Sequence, residues 1–144
     1  MTELKKVGQS MENDVILNKL TIIERCIIRI NEEYEDNSAN LENYTKQDSI
    51  ILNIQRACEA AIDLAMHVSA ELKLGLPQKS REAFDLLNEY GVIDELVTSS
   101  LKAMVGFRNI AVHDYQKLNL DVLEKVIENH LVDLKKFKQQ ILKY

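Results

Sequence analysis

The sequence predicts an all-α protein, an up-and-down helical bundle of four to five helices. Apolar residues recur at alternating steps of three and four over long stretches, which is the period of one helix face. Only 4 glycines and 1 proline punctuate the 144 residues, too few for a fold of short strands and turns. Because the helical stretches are long and their connections short, neighbouring helices are expected to run antiparallel.

The first helix is predicted from Met11 to about Asp36. The stretch from Asn37 to Lys46 mixes Asn, Ser and Glu without a helical period, so it is predicted to be a loop. The apolar stripe of the first helix, with charged residues opposite, comprises Ile16, Leu20, Ile23, Ile27, Ile30 and Tyr34.

A second long helix follows the loop. Thr45 and Asp48 have the spacing of a capping box, so the helix is predicted to start there and to run to about Leu74. Gly75 and Pro77 then stop it, because glycine favours a helix C-terminus and proline cannot continue one.

The second half of the chain predicts three further helices. Ser80 is placed as the cap of a short helix that ends at Gly91, and a fourth helix starts near Ile93. The last helix is predicted to begin near Asp121, which stands at capping-box spacing from Glu124.

Length and composition predict one domain over residues 1–144, with a flexible N-terminus at 1–10. The net charge of −5 argues against broad, sequence-independent binding to a nucleic-acid duplex, although a local basic cleft remains compatible with it. Cys26 and Cys58 fall in helical patterns without CxxC spacing, which indicates buried, reduced thiols. With no signal peptide and no apolar run of about 18 residues, a cytoplasmic location away from the membrane is expected.

Chemically competent side chains concentrate in the run Arg-Asn-Ile-Ala-Val-His-Asp-Tyr at 108–115. Arg108 can donate two hydrogen bonds to a phosphate, and five residues later His113 carries an imidazole that titrates near neutral pH. Together these groups suit phosphodiester chemistry without a metal.

Helix geometry leaves two interpretations of this run open. In an ideal helix Arg108 and His113 lie about 140° apart, so either the helix loosens near His113 or the arginine reaches across, whereas Asn109 and His113 share a face. The structural interpretation is that Arg108 pairs with a carboxylate such as Asp63 and that His113 caps a helix C-terminus.

A polar stripe follows the second helix. Arg56, Glu59, Asp63 and His67 step by three, four and four along one face. A solvated, salt-bridged face is the simple interpretation. Alternatively, Asp63 and His67 line a cleft or a subunit interface, where they orient a catalytic group through a carboxylate-to-imidazole hydrogen bond.

The run at 104–115 resembles the signature of HepT-like proteins in the HEPN superfamily, whose motif is Arg-x4-His-x-Tyr and which form the toxin half of bacterial toxin–antitoxin pairs. The segment 57–67 resembles the family's second helix, and segments 81–87 and 91–93 resemble its middle part. The resemblance implies a helical bundle that dimerises, so that two copies of the motif meet in one cleft. It also implies metal-independent cleavage of RNA.

The motif residues permit that chemistry. His113 is the candidate base for an RNA 2′-hydroxyl, and a second His113 across a two-fold axis would protonate the leaving oxygen. Arg108 would stabilise charge that builds on the phosphoryl oxygens. Asn109 is expected to orient the phosphate or the imidazole, with Asp63 and His67 as supporting residues.

By the same resemblance, Tyr115 matches the tyrosine onto which a partner nucleotidyltransferase antitoxin, of the MNT type, transfers AMP. Phosphate beside Arg108 would satisfy the guanidinium and repel an RNA backbone. The simpler interpretation of Tyr115 is a partly buried ring whose hydroxyl finds a local partner.

Other functions have weaker support in the sequence. His67, His113 and His130 are far apart without an HxxH or HExxH pattern, and phosphate-binding glycine loops are missing, so we expect no metal and no cofactor. The main alternative is a non-catalytic helical dimer that binds a nucleotide or a partner protein through the same motif. A third is a purely structural dimerisation domain.

Overall fold

The computed structural model describes residues 12–144, so the predicted flexible segment at 1–10 and the predicted helix start at Met11 lie outside the described residues. Residues 12–144 form five helical rods and no strand, which confirms the all-α prediction. The first four rods are α1 (Glu12–Tyr34), α2 (Tyr44–Glu71), α3 (Ser80–Glu89) and α4 (Glu95–His113). The last rod is continuous and consists of α5 (Leu120–Lys125), a π-helical turn (Val126–His130) and α6 (Leu131–Lys143). Short 3₁₀ turns occupy Ser38–Glu42 and Tyr115–Lys117.

The buried apolar side chains form one continuous cluster between the rods. Every residue of the stripe predicted for the first helix is buried in it. Phe84 of α3 meets Phe137 of α6 edge to face, with ring centroids 5.9 Å apart and planes at 76°. Lys19, in the first half of α1, pairs with Asp63, in the second half of α2, as expected for antiparallel neighbours.

The start of α2 corrects the predicted capping box. The helix begins at Tyr44, and the side-chain oxygen of Asn43 accepts a hydrogen bond of 3.0 Å from the backbone N–H of Lys46. Thr45 and Asp48 are therefore inside the helix, and the predicted loop contains a 3₁₀ turn. The helix ends at Glu71, three residues before the predicted Leu74.

Ser80 is the first residue of α3 and not its cap. Lys79 takes the cap position, and the Glu82 carboxylate accepts hydrogen bonds from the backbone N–H groups of Gln78 at 2.7 Å and Lys79 at 3.4 Å. The helix ends before Gly91, as predicted, where φ is +76°.

The last two rods also start on short polar residues next to the predicted ones. Asp94 caps α4, where its side chain accepts from the Val97 N–H at 2.8 Å. Asn119 caps α5, where its side chain accepts from the N–H of Asp121 at 2.7 Å. The predicted capping box at Asp121 is therefore wrong, because Asp121 is already helical.

The π-helical turn was not predicted, and it adjoins a buried polar cluster. The hydroxyl of Ser100 on α4 donates to the carboxylate of Asp133, and both residues are buried. Because that hydroxyl has one proton, the Nδ1–H of His130 is the donor in the 3.0 Å contact between His130 and Ser100 Oγ. The cluster joins α4 to the last rod.

Among the residues that the structure describes, no helix has the length and apolar character needed to cross a membrane.

Candidate functional site

The motif run lies where α4 ends. His113 is the last residue of the helix, Asp114 is its C-cap, and Tyr115 opens the following 3₁₀ turn. The helix therefore stops at the histidine, which agrees with the interpretation that the helical path changes near His113. The C-cap Asp114 pairs with Lys117 at 3.1 Å.

Arg108 is half-buried on α4 and reaches toward the start of α3. Its Nη2 lies 3.5 Å from Ser80 Oγ, at the limit of a hydrogen bond, and its buried Nε has no hydrogen-bond partner within residues 12–144. Its positive charge also reaches α2, where it opposes the burial that raises the pKa of the Cys58 thiol to about 12. No described carboxylate pairs with Arg108, so the predicted partner Asp63 does not neutralise it.

His113 and Asn109 lie at the same end of α4. His113 is exposed and Asn109 is half-buried, and neither makes a side-chain hydrogen bond within the described part of the chain. The position of His113 in the last helical turn also matches the interpretation in which an imidazole faces the helix C-terminus. An exposed imidazole there is accessible to a ligand.

Tyr115 makes a contact that the sequence did not predict. Its hydroxyl donates a 2.5 Å hydrogen bond to Asp48 Oδ1 on the second turn of α2, 67 residues away in the chain. Tyr115 is 44% exposed and borders a pocket of about 310 Å³ between α2 and α4. Partial burial and the Asp48 carboxylate raise the pKa of Tyr115 to about 12.

Within residues 12–144, no hydrogen bond or ion pair joins Asp63 or His67 to the motif. Asp63 is exposed and forms a 3.1 Å ion pair with Lys19 of α1. His67 is half-buried and its Nε2 has no hydrogen-bond partner among the described residues. The charge of Arg108 acts on Cys58 of α2. His67 lies nine residues further along α2, about 13 Å along the helix axis from Cys58. A supporting role for either residue stays a prediction.

Two residues near the motif were missed at the level of sequence, namely Ser80 as a neighbour of Arg108 and Asp48 as the acceptor for Tyr115. Both contacts join distant segments, so no local spacing indicates them. Among the described residues, no group of three or more His, Cys, Asp or Glu side chains is placed to hold a metal ion.

Residues 11–141 match the family model described as Ribonuclease HepT-like. The chain belongs to this family. Membership confirms the HepT-like resemblance and the prediction that the chain is a ribonuclease.

Named relatives agree with this assignment. The chain is 50% identical over 125 residues to the mRNA nuclease HepT of Shewanella oneidensis, a match that covers 87% of this chain and 94% of the relative. It is 25% identical over 137 residues to the tRNA nuclease HepT of Aphanizomenon flos-aquae, with 94% and 92% coverage. These two nucleases act on different classes of RNA.

A solved structure shares the fold. The tri-AMPylated HEPN toxin of Shewanella oneidensis, in complex with its MNT antitoxin, superposes with a TM-score of 0.86 at 48% identity, and the match covers 91% of this chain and 98% of that one. The toxin in that complex carries AMP groups and is bound to its antitoxin.

Proposed function

We propose that this HepT-like ribonuclease is a metal-independent endoribonuclease toxin of a bacterial toxin–antitoxin pair, and that it acts in the cytoplasm. The observation that carries the proposal is the state of Arg108. A half-buried guanidinium without a carboxylate partner among the described residues is available to bind a phosphate, and the exposed His113 follows it on the same helix.

The two side chains take complementary roles in the proposed reaction. His113 removes the proton from the RNA 2′-hydroxyl, whose oxygen attacks the adjoining phosphorus and displaces the 5′-oxygen of the next nucleotide. Arg108 stabilises the negative charge that develops on the phosphoryl oxygens. Asn109, half-buried beside Arg108, holds the phosphate or the imidazole in place.

A homodimer completes the proposal. A second His113 across a two-fold axis supplies the proton that the leaving 5′-oxygen needs, because a single imidazole that has just accepted a proton does not fill both positions at once. Asp63 and His67 are assigned supporting roles at this subunit cleft; within residues 12–144 of one chain neither forms a hydrogen bond or an ion pair with the motif.

The proposed partner is an MNT-type nucleotidyltransferase antitoxin, which neutralises the toxin by transfer of AMP onto Tyr115. Support comes from the similar Shewanella oneidensis toxin, which is AMPylated and bound to its MNT antitoxin. In this chain Tyr115 is exposed at the end of α4, two residues after His113. A phosphate attached there would compete with RNA for the cationic site.

Cleavage of RNA and of its 2′-deoxy counterpart by the purified protein in EDTA tests the nuclease proposal. RNA is expected to be cut and the 2′-deoxy oligonucleotide to stay intact, because the attacking oxygen is missing from it. Arg108→Ala is expected to lower the rate about 10²–10³-fold, as loss of one transition-state donor does. The exposed Arg29→Ala is the matched control and should retain the wild-type rate.

Cleavage that requires an added divalent metal, or equal cleavage of both oligonucleotides, would contradict the mechanism. A folded wild type that binds RNA but cuts none would favour the non-catalytic binding module.

A further inference from the structure

The hydrogen bond between Tyr115 and Asp48 has no role in the proposed cleavage of RNA. It joins the first residue after the α4 cap to the fifth residue of α2, and its length of 2.5 Å makes it a close contact between a phenol and a carboxylate. The oxygen atom engaged in this contact is the one that the proposed modification would join to AMP.

We propose that Asp48 is the general base for adenylyl transfer onto Tyr115, so that the toxin itself supplies the residue that activates its tyrosine. This inference rests on the proposed function, in which an antitoxin brings a nucleoside triphosphate to Tyr115. It adds to that function a catalytic residue on the acceptor side.

The step balances with the groups named. The phenolic oxygen of Tyr115 attacks the α-phosphorus of the nucleoside triphosphate and forms a new P–O bond. The bond from that phosphorus to the bridging oxygen breaks, and pyrophosphate leaves. The phenolic proton moves along the existing hydrogen bond to Asp48 Oδ1. No electrons are exchanged with another reagent.

A base is needed because the phenol ionises with difficulty in this position. Partial burial and the neighbouring carboxylate raise the pKa of Tyr115 to about 12, so a fraction on the order of 10⁻⁵ is phenolate at pH 7. A route through preformed phenolate is therefore poorly populated. If the proton is removed during the attack, phenolate does not have to form beforehand. A carboxylate already in contact with the proton has the geometry required for this transfer.

The surroundings leave room for the incoming nucleotide. Asp48 and Tyr115 are both exposed, and they share the pocket of about 310 Å³ with Ile51, Leu52, Gln55 and Ala111. Within residues 12–144, Asp48 supplies the only side-chain acceptor for the Tyr115 hydroxyl. The adjacent Asp114 instead pairs with Lys117, which makes it a suitable control.

The experiment mixes full-length toxin with the antitoxin, ATP and Mg²⁺ and follows intact mass with time at pH 7. Asp48→Asn keeps an oxygen that accepts the hydrogen bond but cannot take up the proton at this pH. We expect it to slow modification about 10²–10⁴-fold, the usual contribution of a general base. Asp48→Glu should recover part of the rate, and Asp114→Asn should match the wild type.

Further readouts separate this role from a structural one. The difference in modification rate between the wild type and Asp48→Asn should decrease as pH rises, because the phenolate of Tyr115 forms more readily without the neighbouring carboxylate. The variant should cut RNA at the wild-type rate and arrest growth even when the antitoxin is present.

Wild-type modification at Tyr115 with an equal rate in Asp48→Asn at pH 7 would overturn the inference and leave the proposed function intact. A wild type that stays unmodified, or a Tyr115→Phe variant that is still modified, would overturn both the inference and the proposed AMPylation of Tyr115.

Discussion

His113 and His130 both lie at breaks in the regular α-helical path, yet their surroundings are opposite. His113 is exposed where α4 ends and has no side-chain hydrogen bond among the described residues. His130 is half-buried in the π-helical turn and donates to Ser100, which in turn donates to Asp133. The first environment leaves both ring nitrogens open for a ligand, whereas in the second Nδ1 is used to join two helices. The chemical role of a histidine in a motif can therefore be assigned only once its hydrogen-bond partners are known.

Substitution of each histidine by alanine is expected to separate their roles. His113→Ala should lower RNA cleavage about 10²–10⁴-fold with little change in stability, because the proposed general base is lost from the surface. His130→Ala should retain the rate per folded molecule and lower the midpoint of thermal unfolding, since Ser100 loses a partner. Single-turnover cleavage and thermal unfolding monitored by circular dichroism measure the two effects. Equal rate losses in both variants would remove the distinction between the two sites.

The buried cluster itself is expected to contribute to stability through Ser100. Ser100→Ala leaves the buried Asp133 carboxylate without the hydroxyl donor, and Lys136, at 3.8 Å, is a distant substitute. We expect the free energy of unfolding in urea to fall by about 1–3 kcal/mol. The adjacent Ser99 is exposed on the same helix, so Ser99→Ala should change it by no more than about 0.5 kcal/mol. Indistinguishable midpoints for the two variants would show that the buried hydrogen bonds add little.

The sequence predicts the helices and their order better than it predicts the residues that cap them. Period and punctuation predict the rods and their order, because apolar stripes and residues such as Gly91 act locally. The N-caps Asn43 and Asn119 were missed because several polar residues near each helix start can form the cap, and the backbone path selects one.

Contacts between distant segments set the remaining features of the candidate site. The Arg-x4-His-x-Tyr spacing locates the motif, but its neighbours come from other helices. Asp48 reaches Tyr115 across 67 residues, and Asp63 pairs with Lys19 instead of Arg108. The local sequence also does not predict the π-helical turn, because the residues of this turn fit an ordinary α-helical pattern. Partners of this kind depend on how the rods pack.

The ionisation of Tyr115 reports on the exposed side of the molecule, where His113 lies. The pKa of Tyr115 is raised from 10 to about 12, so the neutral phenol is favoured in the folded state. The associated stability is present below pH 10 and is lost as pH rises from 10 toward 12. Ultraviolet titration between pH 9 and 10.5 should therefore give nearly the same phenolate absorbance for wild type and Tyr115→Phe.

The same titration of Asp48→Asn tests whether the carboxylate of Asp48 raises the pKa of Tyr115. Removal of the carboxylate lowers the pKa of Tyr115, so phenolate absorbance near pH 10.5 should rise above that of the wild type. If Tyr115→Phe instead removes substantial absorbance at pH 10 from a folded protein, the hydrogen bond to Asp48 does not persist in solution.

Gly106 lies two residues before Arg108 inside α4, and its substitution is expected to change stability only slightly. A Cβ built there would lie 2.9 Å from Nη2 of Arg81, the far end of an exposed, flexible side chain. Arg81 also donates from Nε to the backbone oxygen of Lys102 at 3.3 Å, a marginal contact at the surface. Because alanine is favoured over glycine within a helix by about 0.8–1.0 kcal/mol, Gly106→Ala should be neutral or stabilising by up to that amount once Arg81 moves aside. Urea unfolding of Gly106→Ala and of the double variant with Arg81→Ala measures the cost of that movement. A loss of more than about 1 kcal/mol in the single variant, recovered in the double variant, would show instead that Arg81 is held rigidly over the glycine beside the site.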